Sequence, residues 1–241
     1  MKTAYLYLSL LALPFISNAQ QTKSAPEMLE TFDAIIGLEN TKLYNGKRHY
    51  NTYKVTKENH NFFTSPIFIK GNVNYNEATF YNVNLKYDIF KDQLIFKPNK
   101  TNAYINIELI QDKVTSFELE DHNFVNSNTI IENQDIVTGY LEVIYKTNTL
   151  TFYAKRKKMV KERVKGNKLI YLFNDDPSYY LYYAHTFSEI KSSNSFKKLL
   201  PTLSKDLKIE IKESKNRFET EGLLTHLAKW ADLKLQTKST N

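Results

Sequence analysis

From Phe80 to Phe90 the chain alternates strictly. Tyr81, Val83, Leu85, Tyr87 and Ile89 fall on one side, and Asn82, Asn84, Lys86 and Asp88 on the other. Period two over this length predicts a strand buried on one face and wet on the other. A turn at Lys91-Asp92 leads to Leu94, Ile95 and Phe96, and Pro98-Asn99-Lys100 makes the next one. Ala103, Ile105, Ile107 and Leu109 then alternate with Tyr104, Asn106 and Glu108, Asp112-Lys113 turns the chain, and Val114 to Leu119 follows. After the polar stretch 126–134 come a strand at Ile136 to Lys146, a tight turn at Thr147-Asn148, and alternation at Leu150, Phe152 and Ala154. Strands this close together, with only turn residues between them, pair antiparallel. No helical pattern interrupts them, which argues against a parallel βαβ design.

Helical spacing marks the two ends. Met28, Leu29, Phe32, Ile35 and Ile36, with Glu27 and Glu30 near the start, predict a short helix over Pro26 to Ile36. Near the C-terminus, Ser195 to Leu200 is closed by Pro201, and Leu203, Leu207 and Ile211 follow at intervals of four. Thr220 and Glu221 suit a helix start, and Leu223, Leu224, Leu227, Trp230, Ala231 and Leu235 form a broad apolar stripe. The helices cannot bury such a stripe alone, so it packs on the sheet or between helices, or it docks a partner. The predicted fold class is α+β: a predominantly antiparallel β-sheet of about eight to ten strands (a curved meander, a sandwich or an open barrel), followed by a C-terminal helical segment. The organisation expected is a leader at 1–19, a linker and short helix at 20–40, an antiparallel β domain at 41–190, and helices at 191–241 packed on it.

The first nineteen residues have the layout of a cleavable signal peptide. Lys2 supplies a positive start, Ala4 to Ile16 is almost wholly apolar, and Ser17, Asn18 and Ala19 place small residues before a cut between Ala19 and Gln20. The apolar run is too short for a spanning helix, which needs roughly 20 residues. No cysteine follows it for lipid attachment. An exported protein is therefore expected, periplasmic, outer-membrane-associated or secreted, with no transmembrane helix in the mature chain.

Composition adjusts this picture. The chain has no cysteine, so packing alone must hold it together. About 220 residues remain after the leader, enough to bury a core without disulfides. The net charge of +7, one less without Lys2, leaves a modest positive excess that suits anionic partners without choosing among them.

Several short stretches carry a resemblance. Leu43-Tyr44-Asn45-Gly46, the pair Phe62-Phe63, and the run from Gly71 through Tyr87-Asp88-Ile89 to Asp92 and Leu94 resemble a group of exported proteins of Bacteroidota. So does the ending, in which a Tyr-rich strand precedes Ser193 to Leu200 and a lysine-rich helix. The resemblance spans most of the mature chain. It implies an envelope location and no known activity. The basic segment after Ala154 is longer than the group's pattern.

Candidate chemistry is sparse. His49, His60, His122, His185 and His226 have no spacing that puts two ligands on one face, and without cysteine a structural zinc site is disfavoured. There is no Gly-x-Ser-x-Gly elbow, and six glycines leave little for phosphate loops. The acids Glu118, Glu120 and Asp121 suit a solvent-facing strand end, and Asp175-Asp176-Pro177 suits a turn. No catalytic residue, metal ligand or cofactor is predicted.

Two surfaces stand out instead. Lys155, Arg156, Lys157, Lys158, Lys161, Arg163, Lys165 and Lys168 are broken only by Glu162 among acids. They suit phosphate-bearing lipid or glycan, or a lysine-blunted edge strand. Nucleic acid is disfavoured, because no aromatics interleave the run for stacking. The second surface is Tyr171, Tyr179, Tyr180, Tyr182 and Tyr183, in which Tyr180 and Tyr182 share one strand face; these suit a sugar or protein surface, or a core strand with one solvent-facing row. The function expected is a non-catalytic envelope binding or accessory module, acting on an envelope protein, a glycan or an anionic lipid surface. The alternatives are an envelope hydrolase with a scattered active site and an anionic-surface binder using the basic segment.

Overall fold

The computed structural model describes residues 24–37, 41–98, 105–130 and 136–239. The predicted leader with its cut between Ala19 and Gln20 lies outside them, as do the turn residues Asn99 and Lys100 and the strand start at Ala103. Helix α1 (Ala25–Ile36) precedes the strands β1 (Lys47–Arg48), β2 (Ile69–Tyr75), β3 (Ala78–Asp88), β4 (Gln93–Lys97), β5 (Ile107–Glu108), β6 (Val114–Leu119) and β7 (His122–Asn126). Then come β8 (Tyr140–Lys146), β9 (Leu150–Lys155), β10 (Lys158–Lys165), β11 (Lys168–Asp175), β12 (Ser178–Tyr183) and β13 (Thr186–Glu189). Three helices close the chain: α2 (Ser195–Leu199), α3 (Ser204–Ser214) and α4 (Thr220–Ser239).

The protein is α+β. Eleven strands form one antiparallel sheet in the order β1-β5-β4-β3-β2-β6-β7-β8-β9-β12-β13, and β10 pairs only with β11. The sheet has more strands than the sequence pattern predicts: β1, at two residues, is too short to show a period, whereas β5 is part of the predicted alternation from Ala103 to Leu109. The hairpin Lys158–Asp175 leaves the main sheet altogether and stands as an arm of its own.

The strand β3 departs from simple alternation at two places. Gly71 pairs with Val83 while Val73 pairs with Phe80, so β3 carries one extra residue there, and Asn82 adopts φ +52°. This bulge reverses the phase. Phe80 and Val83 both enter the core, and Tyr81 stays half-buried on the other face instead of joining Val83 and Leu85. The predicted wet side is also covered at its end, where Lys86 and Asp88 are buried. The segment 51–66 lies across them. The Lys86 ammonium sits 4.0 Å from the Phe62 ring and 4.4 Å from the Phe68 ring, and donates to the Pro66 carbonyl at 3.2 Å. Asp88 accepts from Asn61 Nδ2 and from the backbone amides of Phe90 and Lys91.

The inner face of the sheet buries two cores. One gathers Tyr75, Tyr87, Phe96, Phe117, Phe124 and Tyr140 under β2 to β8. In the other, Phe152, Ala154, Tyr179 and Leu181 pack against Phe196, Leu203, Leu207, Leu227 and Ala231 of the C-terminal helices. Removing each such large side chain from water contributes about 1.5–3 kcal/mol. One row of inward residues crosses both: Val73 opposes Phe117, then Phe124, Glu142, Ala154 and Tyr179 on successive strands. The row is apolar except at Glu142, which marks the seam between the cores. In contrast, Met28, Leu29, Phe32 and Ile35 of α1 are exposed.

Candidate functional site

Glu142 is buried, so its charge requires partners. His122, inward-facing on β7, brings Nδ1 to Glu142 Oε1 at 2.6 Å. Arg156, at the end of β9, donates from Nε to the other oxygen, Oε2. The same guanidinium donates from Nη1 and Nη2 to the two oxygens of Glu221 in the first turn of α4, at 2.5 and 2.9 Å. Tyr179 of β12 donates its hydroxyl to Glu221 at 2.9 Å. The Arg156 bond holds the Glu221 carboxyl below its ordinary range, and burial with the nearby Glu221 charge pushes the Tyr179 hydroxyl up. Beside this seam lies a cavity of about 410 Å³ lined by residues that include His60, Phe63, Arg156, Lys157, Lys158 and Asp175.

The seam has a His, two Glu and a Tyr, which are residue types of proton-transfer chemistry. Its geometry serves charge compensation instead. Both glutamates are held by one cation, Arg156, which spans Glu142 and Glu221. A second cluster, Ser214, His226 and Glu210 between α3 and α4, contains the residue types of a serine hydrolase triad. Its connectivity is different. Glu210 Oε1 and Ser214 Oγ both meet His226 Nε2, at 2.7 and 3.2 Å, and Ser214 donates to Glu210 at 2.7 Å. A relay needs the acid on one ring nitrogen and an accessible hydroxyl on the other. Here Ser214 is buried. Among the described residues no three His, Asp or Glu side chains converge to hold a metal ion.

The basic segment divides in two. Lys155 bonds Asp92 at 2.6 Å, Arg156 belongs to the seam, Lys157 pairs with Asp176 at 3.0 Å, and Lys158 donates to the His60 carbonyl at 2.8 Å with Asp175 at 3.8 Å. Lys155, Arg156 and Lys158 spend their charge inside the fold, and Lys157 pairs at the surface. Lys161, Arg163, Lys165 and Lys168 are exposed on the β10–β11 arm. The two halves therefore do not form one surface.

Tyr180 and Tyr182 lie on the outer face of the sheet, away from the helices. Tyr180 is buried against Phe187, its ring stacked at 5.4 Å, and Tyr182 is half-buried beside it. Strand register continues this face across the sheet. Tyr153 opposes Tyr180 and Val143, and Thr151 opposes Tyr182 and Lys146. Farther along, Ser116 opposes Val125 and Asn74, and Glu118 opposes Asn123 and Asn72. Two cavities open on this face. One of about 530 Å³ is lined by residues including Asn72, Asn74, Tyr81, Glu118, Asn123 and Lys146. The other, of about 320 Å³, includes Lys146, Thr151, Tyr153, Tyr182 and Phe187. Lys146 borders both, so the two cavities adjoin on this face and together make up the outer groove.

Within the groove the amides are ordered by their neighbours. Asn72 Nδ2 donates to Glu118 Oε2 at 2.9 Å, and its Oδ1 accepts from the Asn82 amide at 3.0 Å. Asn74 Nδ2 donates to Ser116 at 2.6 Å and its Oδ1 accepts from Thr79 at 2.6 Å. The sequence reading places Tyr180 and Tyr182 on one strand face, where Tyr182 lines the groove and Tyr180 is buried instead of exposed, and it does not single out Asn72, Asn74, Asn123 and Lys146. The alternation of Asn72 and Asn74 with Gly71, Val73 and Tyr75 is the signal that points to them. It also misses the seam residues Glu142 and Glu221, whose spacing in the chain carries no local signal. Comparison with family models, curated proteins and solved structures finds no match to this chain.

Proposed function

We propose that the protein is a non-catalytic binding module of the cell envelope whose ligand lies along the outer groove of the sheet, and that this ligand is an extended, hydroxyl-rich chain of the glycan class. The observation that carries this reading is the groove itself: a stretch of sheet face with pre-ordered amides, a carboxylate and an amine along one part and aromatic rings at one end. Amide and hydroxyl groups fix the orientation of a polar ligand, and tyrosine supplies rigid contact area with a polar tip. Among the described residues one carboxylate, Glu118, lines the groove. Glycoside hydrolysis uses a pair flanking the bond, so binding without cleavage is the chemistry these side chains support. Placement outside the cytoplasm rests on the leader-like N-terminus and on the resemblance to exported proteins of Bacteroidota.

The test is retention of the purified protein on immobilised neutral polysaccharides and on a glycan array. Retention is expected for at least one, without release of shortened products. Tyr182→Ala and Asn123→Ala should each weaken it about tenfold, equivalent to about 1.4 kcal/mol, with little change in melting temperature. Retention that both variants leave intact rules the groove out as the site.

A further inference from the structure

The β10–β11 arm is built unlike the rest of the molecule. Its base is anchored: Tyr53 packs edge-on against Tyr171 and Phe173 at 4.9 and 5.1 Å, and Asn59 bonds the backbone of both residues. Beyond Tyr171 the strands run free of the main sheet to a turn at Gly166-Asn167, and every residue from Lys161 to Leu169 is exposed. A two-stranded ribbon standing in water is marginal, and this one carries apolar residues there. Val164 opposes Leu169 across the strands, 77% and 50% exposed, and Met159 is 60% exposed.

The other face of the ribbon carries the cations, beside Met159, Ile170 and Leu172. Lys161, Arg163 and Lys165 alternate along β10, and Lys165 lies directly opposite Lys168. Like charges in direct opposition destabilise a strand pair. Glu162 is the one acid between Lys158 and Asn174, and it projects on the face of Val164, away from these cations. Among the described residues none of the four cations has an acid within ion-pair distance. An anionic partner relieves that repulsion. A soluble polyanion would neutralise the charge and leave Val164 and Leu169 in water. A bilayer interface accepts both, because its headgroup phosphates meet the cations and the region beneath takes the apolar pair. Shallow entry fits the two unpaired edges of the ribbon, whose backbone groups require water.

We propose that the outer half of the β10–β11 arm docks the protein on an anionic lipid bilayer, with Lys161, Arg163, Lys165 and Lys168 against lipid phosphates and Val164 and Leu169 within the headgroup layer. This contact is separate from the groove on the main sheet and does not depend on it.

Cosedimentation of the full chain with phosphatidylcholine vesicles, with and without roughly a quarter phosphatidylglycerol, tests it. Partitioning to the anionic vesicles should be at least tenfold stronger and weaken with salt. Because each basic residue near such a surface contributes about 1 kcal/mol, replacing all four by Gln should reduce partitioning roughly a hundredfold or more. The pair Val164→Thr and Leu169→Thr keeps the strand preference and the charge, and should also weaken binding. Far-ultraviolet circular dichroism and melting temperature confirm that both variants stay folded. Equal binding to neutral and anionic vesicles overturns the proposal, as does anionic binding that survives the four Gln replacements. Binding that the Thr pair leaves unchanged, with equal affinity for heparin, overturns the bilayer in favour of a soluble polyanion. Self-association of the chain that the four Gln replacements strengthen, without vesicle binding, overturns it in favour of a second copy.

Discussion

The Arg156 guanidinium grips both carboxylate oxygens of Glu221 while its Nε serves Glu142, so one side chain joins β8, the end of β9 and the first turn of α4 across the boundary between two cores. Removing it strands the buried Glu142 charge beside His122. Arg156→Ala is expected to cost about 3–5 kcal/mol, as for other broken buried ion pairs, and to lower the melting temperature by roughly 10 °C. Arg156→Lys should recover little, because a single ammonium cannot make the forked contact. Denaturant unfolding measures both. A loss below about 1 kcal/mol for Arg156→Ala would show that the seam does not hold the cores together.

Acid should loosen the same joints. Arg156 holds the Glu221 carboxyl below its ordinary value of 4.5, and His226 does the same for Glu210. A carboxylate with a depressed folded pKa adds stability that is complete above its unfolded pKa and is lost as pH falls through the folded value. Denaturation midpoints from pH 7 to 3 should therefore show a decline that begins below about 4.5. The Glu221→Gln, Glu210→Gln double variant should show a shallower decline. An unchanged slope would assign the acid sensitivity to other groups.

On the alkaline side the slope has the same sign but comes from a buried cation. Burial pushes the Lys86 ammonium down to about 8 from 10.5, so the folded state disfavours its charge. Stability from this residue should rise as pH climbs from about 8 towards 10.5, where only the unfolded chain still holds the proton. Lys86→Met should flatten that rise and leave the protein at pH 7 as stable or more stable, by up to roughly 3 kcal/mol. A clear loss at pH 7 would mean that the Phe62 and Phe68 rings stabilise the cation beyond its cost of burial.

Tyr140 offers a stabilising substitution. Its hydroxyl is buried without a hydrogen-bond partner among the described residues, in the core beside Tyr87 and Phe117. Tyr140→Phe keeps the ring and removes the unpaired group. A gain of about 1–2 kcal/mol is expected, read as a higher denaturation midpoint at constant slope. A loss would reveal a partner for the hydroxyl.

Asp232 ties α4 to the β8–β9 turn. Its carboxylate accepts from Tyr145 at 2.7 Å, Thr147 at 3.0 Å and Gln236 at 2.9 Å. Asp232→Ala should cost about 3 kcal/mol and Asp232→Asn about 1–2, since the amide keeps one acceptor and turns a donor toward the others. Equal costs for the two would show that packing, and not hydrogen bonding, dominates there.

Local pattern carries information only about local structure, and the limits of the sequence reading follow from that. Period two in β3, β6 and β9 and fourfold spacing in α3 and α4 are consequences of backbone geometry, so the α+β class, the antiparallel pairing and the C-terminal helices are legible in the chain. So is the strand face shared by Tyr180 and Tyr182. The bulge at Asn82 breaks that regularity without a sequence marker and sends Tyr81 to the groove. The fate of each charge depends on distant residues. Lys155 and Lys161 look alike in the sequence, yet one meets Asp92 and the other meets water. Arg156 finds Glu221 65 positions away. Only the folded sheet decides which of these cations is occupied, and which part of the basic segment remains available to a partner.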